Sequence, residues 1–213
     1  MRRPGSTPPA SARWLTARLG IFRRDRRGVA AVEFALVLPI MLVMYIGMAV
    51  VTVGISIDRK LTIASRALAD LAAQRSRISD SEKDNIFAAA SAVMAPYSPA
   101  GAELVLFSVY IDSKGVARVC WSDGNKPGIA PKPGSVFTFP PSAEDLAKNR
   151  NSSVIVGQIT YPYSTGLTGL FERLGVFGNT FVNGVLRLSE TTYMRPRSVA
   201  QVARDGQSTC KVS

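Results

Sequence analysis

Few side chains in this sequence could do chemistry. There is no histidine among its 213 residues. That removes imidazole acid–base catalysis, Ser-His and Cys-His nucleophile pairs, and histidine-ligated metals. The Ser, Asp and Lys residues form no nucleophile–base spacing. No catalytic residue, metal or cofactor is therefore expected, and the chain does not read as an enzyme. Two features remain. Cys120 and Cys210 are too few and too far apart for a structural zinc site, but they can pair with each other. Glu33 is the only charge between Arg27 and Asp58. A lone carboxylate in an apolar run is costly if it stays unpaired there.

The element that must position Glu33 is a long apolar helix. Phe34 to Ile57 is 24 residues without a charge. As a helix it would span about 36 Å, against about 30 Å of bilayer hydrocarbon. Pro39 falls early in the run, where a membrane helix tolerates it. A buried core helix is the alternative, but such helices are rarely apolar all round for this length. The net charge of +11 is concentrated ahead of the run, where residues 1–28 hold eight arginines and a single acid, Asp25. Arg23, Arg24, Arg26 and Arg27 form the block next to the helix and read as a topology signal. They place the N-terminus in the cytoplasm and residues 58–213 outside it. No zinc-finger spacing or basic–aromatic interleaving accompanies the charge, so no nucleic-acid partner is expected. The leader has a second reading. Leu15, Leu19 and Phe22 share a helical face beside Trp14, which suits an anionic headgroup region as well as a basic tail suits solvent. A secretory signal with a cut near Ala67-Leu68-Ala69 fits poorly, because the apolar run is too long and that site lies beyond a charged patch.

The stretch Arg27-Gly28-Val29-Ala30-Ala31-Val32-Glu33-Phe34 resembles the processing site of type IV prepilins. With the run Ala35 to Pro39 it resembles the opening of TadE-like proteins of the tight-adherence (Tad/Flp) pilus system. The resemblance covers about residues 24–70. It implies that a prepilin peptidase cuts between Gly28 and Val29, so that Glu33 becomes the fifth residue, with Phe34 after it. The new α-amine on Val29 has a reference pKa of about 7.7–8.0. The resemblance implies that Glu33 and Phe34 form the assembly site, Glu33 pairing with that amine, most naturally a neighbouring subunit's. The alternative is a Glu33 that snorkels to headgroups. Two departures from a typical prepilin are the long leader and the large C-terminal part, and the second points to a minor, pseudopilin-like component. The implied partners are the bacterial inner membrane, the prepilin peptidase, other pilin-like subunits and the Tad secretion machinery. The implied location is single-pass, with the C-terminal domain periplasmic, in or at the base of the pilus. An uncleaved, membrane-anchored periplasmic binding module that supports the pilus apparatus is the alternative function.

The exported part reads as α+β. Residues 1–28 form the leader, 29–57 the transmembrane helix, 58–95 a helical stalk, and 96–213 a domain of antiparallel sheet packed on helices. Leu61, Ala64, Leu68, Leu71 and Ala72 extend an apolar stripe to about Gln74. Ser79 and Glu82 fit a capping box for a second helix that Pro96 ends. Strands are expected over 103–111, 116–121, 153–163 and 184–194, with a hairpin turn at 112–115. Residues 123–143 read as a proline-rich loop or extended edge, and Ser142 as the cap of a short helix through Lys148. A further short helix is expected over 167–174. Asp123-Gly124-Asn125 resembles a fragment of a calcium loop without its later acidic ligand, and reads as a turn. In an oxidising compartment a Cys120–Cys210 bridge would pin the polar tail from Arg195 to the sheet; two unpaired buried thiols are the alternative.

Overall fold

The first helix, α1, runs without interruption from Arg27 to Ala73 and includes Pro39. The computed structural model describes residues 27–166, 168–175, 182–207 and 210. The chain forms two units that divide within α1, residues 1–49 and residues 50–213. In the first unit α1 is apolar on all sides apart from Glu33, and from Gly28 to Tyr45 its residues are exposed, Leu36 at 71% and Tyr45 at 76% among them. The helix is long and apolar enough to cross a membrane, and only 11% of its most apolar window is buried. A core helix would be mostly covered, and this half of α1 is mostly exposed.

In the second unit the same helix changes character. Ile57, Leu61, Ala64, Ser65, Leu68, Ala69, Ala72 and Ala73 are buried. Their three- and four-residue spacing makes one stripe. Most are small, which lets the helix backbone approach the sheet closely. Residues 58–95 carry this stripe and the buried side of the next helix. That helix, α2, spans Asp80–Val93 and opens with the complete Ser79–Glu82 capping box. Ile86, Phe87 and Ala90 are its buried residues.

The sheet is antiparallel, with strand order β3-β2-β4-β5. Its strands are β2 Glu103–Ile111, β3 Ala117–Gly124, β4 Ser152–Tyr163 and β5 Leu186–Met194. The β2–β3 turn is closed by Asp112, whose Oδ1 accepts from the Lys114 and Val116 amides, both at 2.8 Å. Gly115 takes φ +85°, which a side chain would resist. Both faces of the sheet are covered, so every residue of β2 after Glu103 is buried. One face carries α1. The other holds Val105, Phe107, Val109, Ile111, Val154 and Val156, with Phe139 and Ala143 packed among them. The proline-rich segment is thus a cover for the sheet. Phe137 and Phe139 drop from it as an edge-to-face chain, Phe107–Phe137 at 5.4 Å and Phe137–Phe139 at 5.1 Å. Ser142 makes no cap. Pro140 and Pro141 set a 3-10 turn over Pro141–Ala143, so Ser142 lies inside that turn, and Ala143 precedes the short helix α3, Glu144–Ala147. Helix α4 spans Thr168–Leu174.

The tail beyond Arg195 is built into the domain. The two-residue strands β1, Arg77–Ile78, and β6, Ala203–Arg204, pair in parallel. The indole of Trp121 donates to the Val202 carbonyl at 2.8 Å, and Val202 is fully buried. The Ser153 hydroxyl donates to the Ala200 carbonyl at 2.5 Å.

Candidate functional site

Gly28, Val29, Glu33 and Phe34 all lie in the first turns of α1. Gly28 has no heavy atom within 4 Å of where a Cβ would stand. Val29 is 52% exposed and Phe34 60%, and Glu33 is exposed as well. Val29 and Glu33 are separated by four residues, so they are vertical neighbours on one side of the helix. The first amides of a helix have no intrahelical acceptor and carry its positive end. Glu33 therefore stands one turn along α1 from Val29, near the positive end of the helix. Arg27 begins the helix, while Arg23, Arg24, Arg26 and the Leu15–Leu19–Phe22 face lie outside the described residues.

The second unit holds its helices and tail by groups that sequence reasoning did not single out. Gly157, in the middle of β4, is the seat of α1. A Cβ there would lie 2.9 Å from the Ser65 carbonyl oxygen and 3.1 Å from the Ala69 Cβ. The Ser65 and Thr192 hydroxyls share a hydrogen bond of 2.9 Å beside it. A glycine inside a β-branched run is a signal for such an approach. Near its other end the buried half of α1 is held by Tyr163, whose hydroxyl donates to the Val50 carbonyl at 3.1 Å. Burial pushes that phenol above its ordinary pKa.

Arg204 is the central charge of the tail, with a side chain only 4% exposed. Its Nε donates to Asp123 at 2.7 Å and its Nη2 to Asp80 at 2.6 Å, and it also donates to the Ile78 and Asp205 carbonyls. The guanidinium holds the Asp80 carboxyl below its usual range, first through the hydrogen bond and then through charge. Asp123, read from sequence as part of a turn, lies within β3, next to its last residue Gly124, and is bound by Arg204. Cys120 and Cys210 form a disulfide with Cα atoms 4.9 Å apart. Cys120 falls at the register shift of the β2–β3 pair, between Val119, opposite Val109, and Trp121, opposite Ser108. Such a bulge re-aims one side chain, and here the re-aimed group is a half-cystine. Glu190, on β5, is pushed above the usual carboxylate range by burial and then by the charge of Asp58, with Arg66 opposing.

Residues 28–70 match the family model described as TadE-like protein. The matched segment contains Gly28, Val29, Glu33 and Phe34 and follows α1 into its buried half. No curated protein and no solved structure matches the chain. The TadE-like part is thus α1, and the sheet domain beyond it is carried by its own physics.

Proposed function

We propose that this chain is a minor pilin-like (pseudopilin) component of Tad/Flp pilus assembly. It is anchored in the bacterial inner membrane by α1, with the N-terminus cytoplasmic and the sheet domain periplasmic. The observation that supports this most directly is the mostly exposed half of α1, apolar but for its single carboxylate at Glu33, inside the TadE-like segment. In this reading a prepilin peptidase cuts the Gly28–Val29 bond, so the chain is a substrate and not an enzyme. The α-amine set free on Val29 meets Glu33, and the helix packs with equivalent helices of other pilin-like subunits and the Tad machinery. An uncleaved anchored module is the second reading. One observation favours it, since α1 continues through Gly28 and Val29 without a break.

Mass spectrometry of the protein from its native membrane separates the two. A mature N-terminus at Val29 supports processing, and an intact N-terminus supports the permanent anchor. A start near Asp70 would refute membrane retention in both forms. Glu33→Ala should still be inserted and cut but should lose assembly; normal piliation in that variant would refute the pairing role.

A further inference from the structure

We infer that the Cys120–Cys210 bridge is closed by thiol–disulfide exchange at the Cys210 sulfur, with Cys120 as the internal thiol and Gln207 as the residue that positions the pair. The two half-cystines differ in setting. Cys120 is 2% exposed and lies in β3 between two buried residues, Val119 and Trp121. β3 is an edge strand, but its outer edge is closed on both sides of Cys120. Before it, the Val119 amide donates to the Ser135 carbonyl at 2.9 Å, and the Gly134 amide donates to the Val119 carbonyl at 2.7 Å. After it, the Ser122 hydroxyl donates to the Pro131 carbonyl. A reagent reaches the Cys120 sulfur only when this cover opens. Cys210 is half-buried and lies outside any helix or strand. Access decides which thiol an external disulfide meets first.

Gln207 brings the second thiol back to the first. The Ser122 amide donates to its Oε1 at 3.0 Å, and its Nε2 donates to the Ser122 carbonyl at 3.1 Å. One carboxamide thus answers both backbone groups of Ser122, as a neighbouring strand would. Ser122 is two residues beyond Cys120, and Gln207 is three residues ahead of Cys210. Three residues reach at most about 10 Å, so a Gln207 seated on Ser122 keeps Cys210 close to Cys120. None of these hydrogen bonds uses a sulfur, and neither does the Arg204–Asp123 pair beside them. They therefore persist in the dithiol form and raise the effective concentration of one thiol at the other.

The exchange balances in two steps. The Cys210 thiol loses its proton to solvent and attacks one sulfur of an external disulfide. A mixed disulfide forms on Cys210, and the first external thiolate leaves and takes up a proton. The Cys120 thiol then loses its proton, and its thiolate attacks the Cys210 sulfur. The second external thiolate leaves and is protonated. Two protein thiols are oxidised, and one external disulfide is reduced to two thiols.

The test uses the full chain purified in detergent, reduced, and freed of reductant. Oxidised glutathione is the external disulfide, and acid-quenched samples are read by intact and peptide mass spectrometry. In Cys120→Ser, Cys210 should take up glutathione and keep it. In Cys210→Ser, Cys120 should react at least about fifty-fold more slowly, because its sulfur is reached only on local opening. In guanidinium chloride the two should react alike. Equal rates without denaturant overturn the inference, whether the disulfide-free chain is folded or has unfolded, since either result means that Cys120 is not shielded. Gln207→Met keeps the length of the side chain and loses its hydrogen bonds. It should slow the closing step, in which glutathione leaves Cys210 as the bridge forms, by about ten-fold, the worth of two ordinary hydrogen bonds. It should not slow the first step, measured in the Cys120→Ser background. An unchanged closing rate, or an equal slowing of both steps, overturns the positioning role.

Discussion

Replacing Gly157 by alanine should destabilise the domain by pushing α1 off the sheet. The new methyl would stand 2.9 Å from the Ser65 carbonyl oxygen, 3.0 Å from the Ala69 nitrogen and 3.1 Å from the Ala69 Cβ. Two of these neighbours are helix backbone, which cannot rotate away as a side chain can. The contacts fall short of van der Waals separation by roughly 0.4 Å, so relief requires α1 to move as a body or β4 to bow. Overpacking of this kind costs about 1–3 kcal/mol. Alanine also narrows the unfolded ensemble, which returns about 0.4–1 kcal/mol. A net loss of about 1–2 kcal/mol remains, or about 2–8 °C in Tm for a unit of this size. The assay is thermal unfolding of the full chain in detergent, followed by tryptophan emission in a Trp14→Phe background. Trp121, fully buried, then reports alone. Gly169→Ala is the control, because a Cβ there meets nothing within 4 Å and the residue is helical. It should be neutral or slightly stabilising. An unchanged or raised Tm for Gly157→Ala would refute the close seating of helix on strand.

Three further outcomes are expected in the same assay. Arg204→Met should cost about 3 kcal/mol, because it strands Asp123, only 12% exposed, without its cation; adding Asp123→Leu should recover most of the loss, and no recovery would show that the charges do not act as a pair. Cys210→Ser opens the loop of 90 residues between the half-cystines. The cost should be about 4 kcal/mol in the chain-entropy account, and reductant should lower the Tm of the wild type but not of the variant. Glu190 has a folded-state pKa raised above the ordinary value of a glutamate, first by burial and then by Asp58. Its contribution is therefore fully present below that value and is lost as pH rises through the folded pKa. Glu190→Gln should raise the Tm at neutral pH and leave it unchanged near pH 4, and a gain at both would point to packing instead of ionisation.

What the sequence discloses is what depends on local pattern. The capping box at Ser79, the hairpin turn at Asp112 and the four strands of the sheet are written in short windows, and an α+β arrangement follows from their order. The features that needed coordinates are those in which distant segments meet. Phe137 and Phe139 look like loop residues until the free face of the sheet shows what they cover. Arg204 looks like one more polar group in a tail, since nothing nearby in sequence marks Asp80 and Asp123 as its partners. Ser142 has the right type for a cap, but the two prolines before it start a turn too early. Gly157 carried a readable signal, a glycine inside SSVIVGQIT. The signal says that something comes close, not that it is α1.

The edge of the apolar run shows the same limit. Lipid and protein core both select Leu, Val, Ile, Met and Ala, so hydropathy cannot tell where one ends and the other begins. From sequence the charge-free run to Ile57 reads as one span. In the structure Val50 and Ile57 are buried and Tyr163 donates to the Val50 carbonyl, while Val51, Val53 and Ile55 between them are exposed, so the domain accounts for one side of the last two turns only. Without those turns, Gly28 to Ala49 as a helix still covers about 33 Å, enough for the hydrocarbon. Glu33 then lies only about 7 Å from the start of that span, within reach of the end at which a cut after Gly28 would place a new amine.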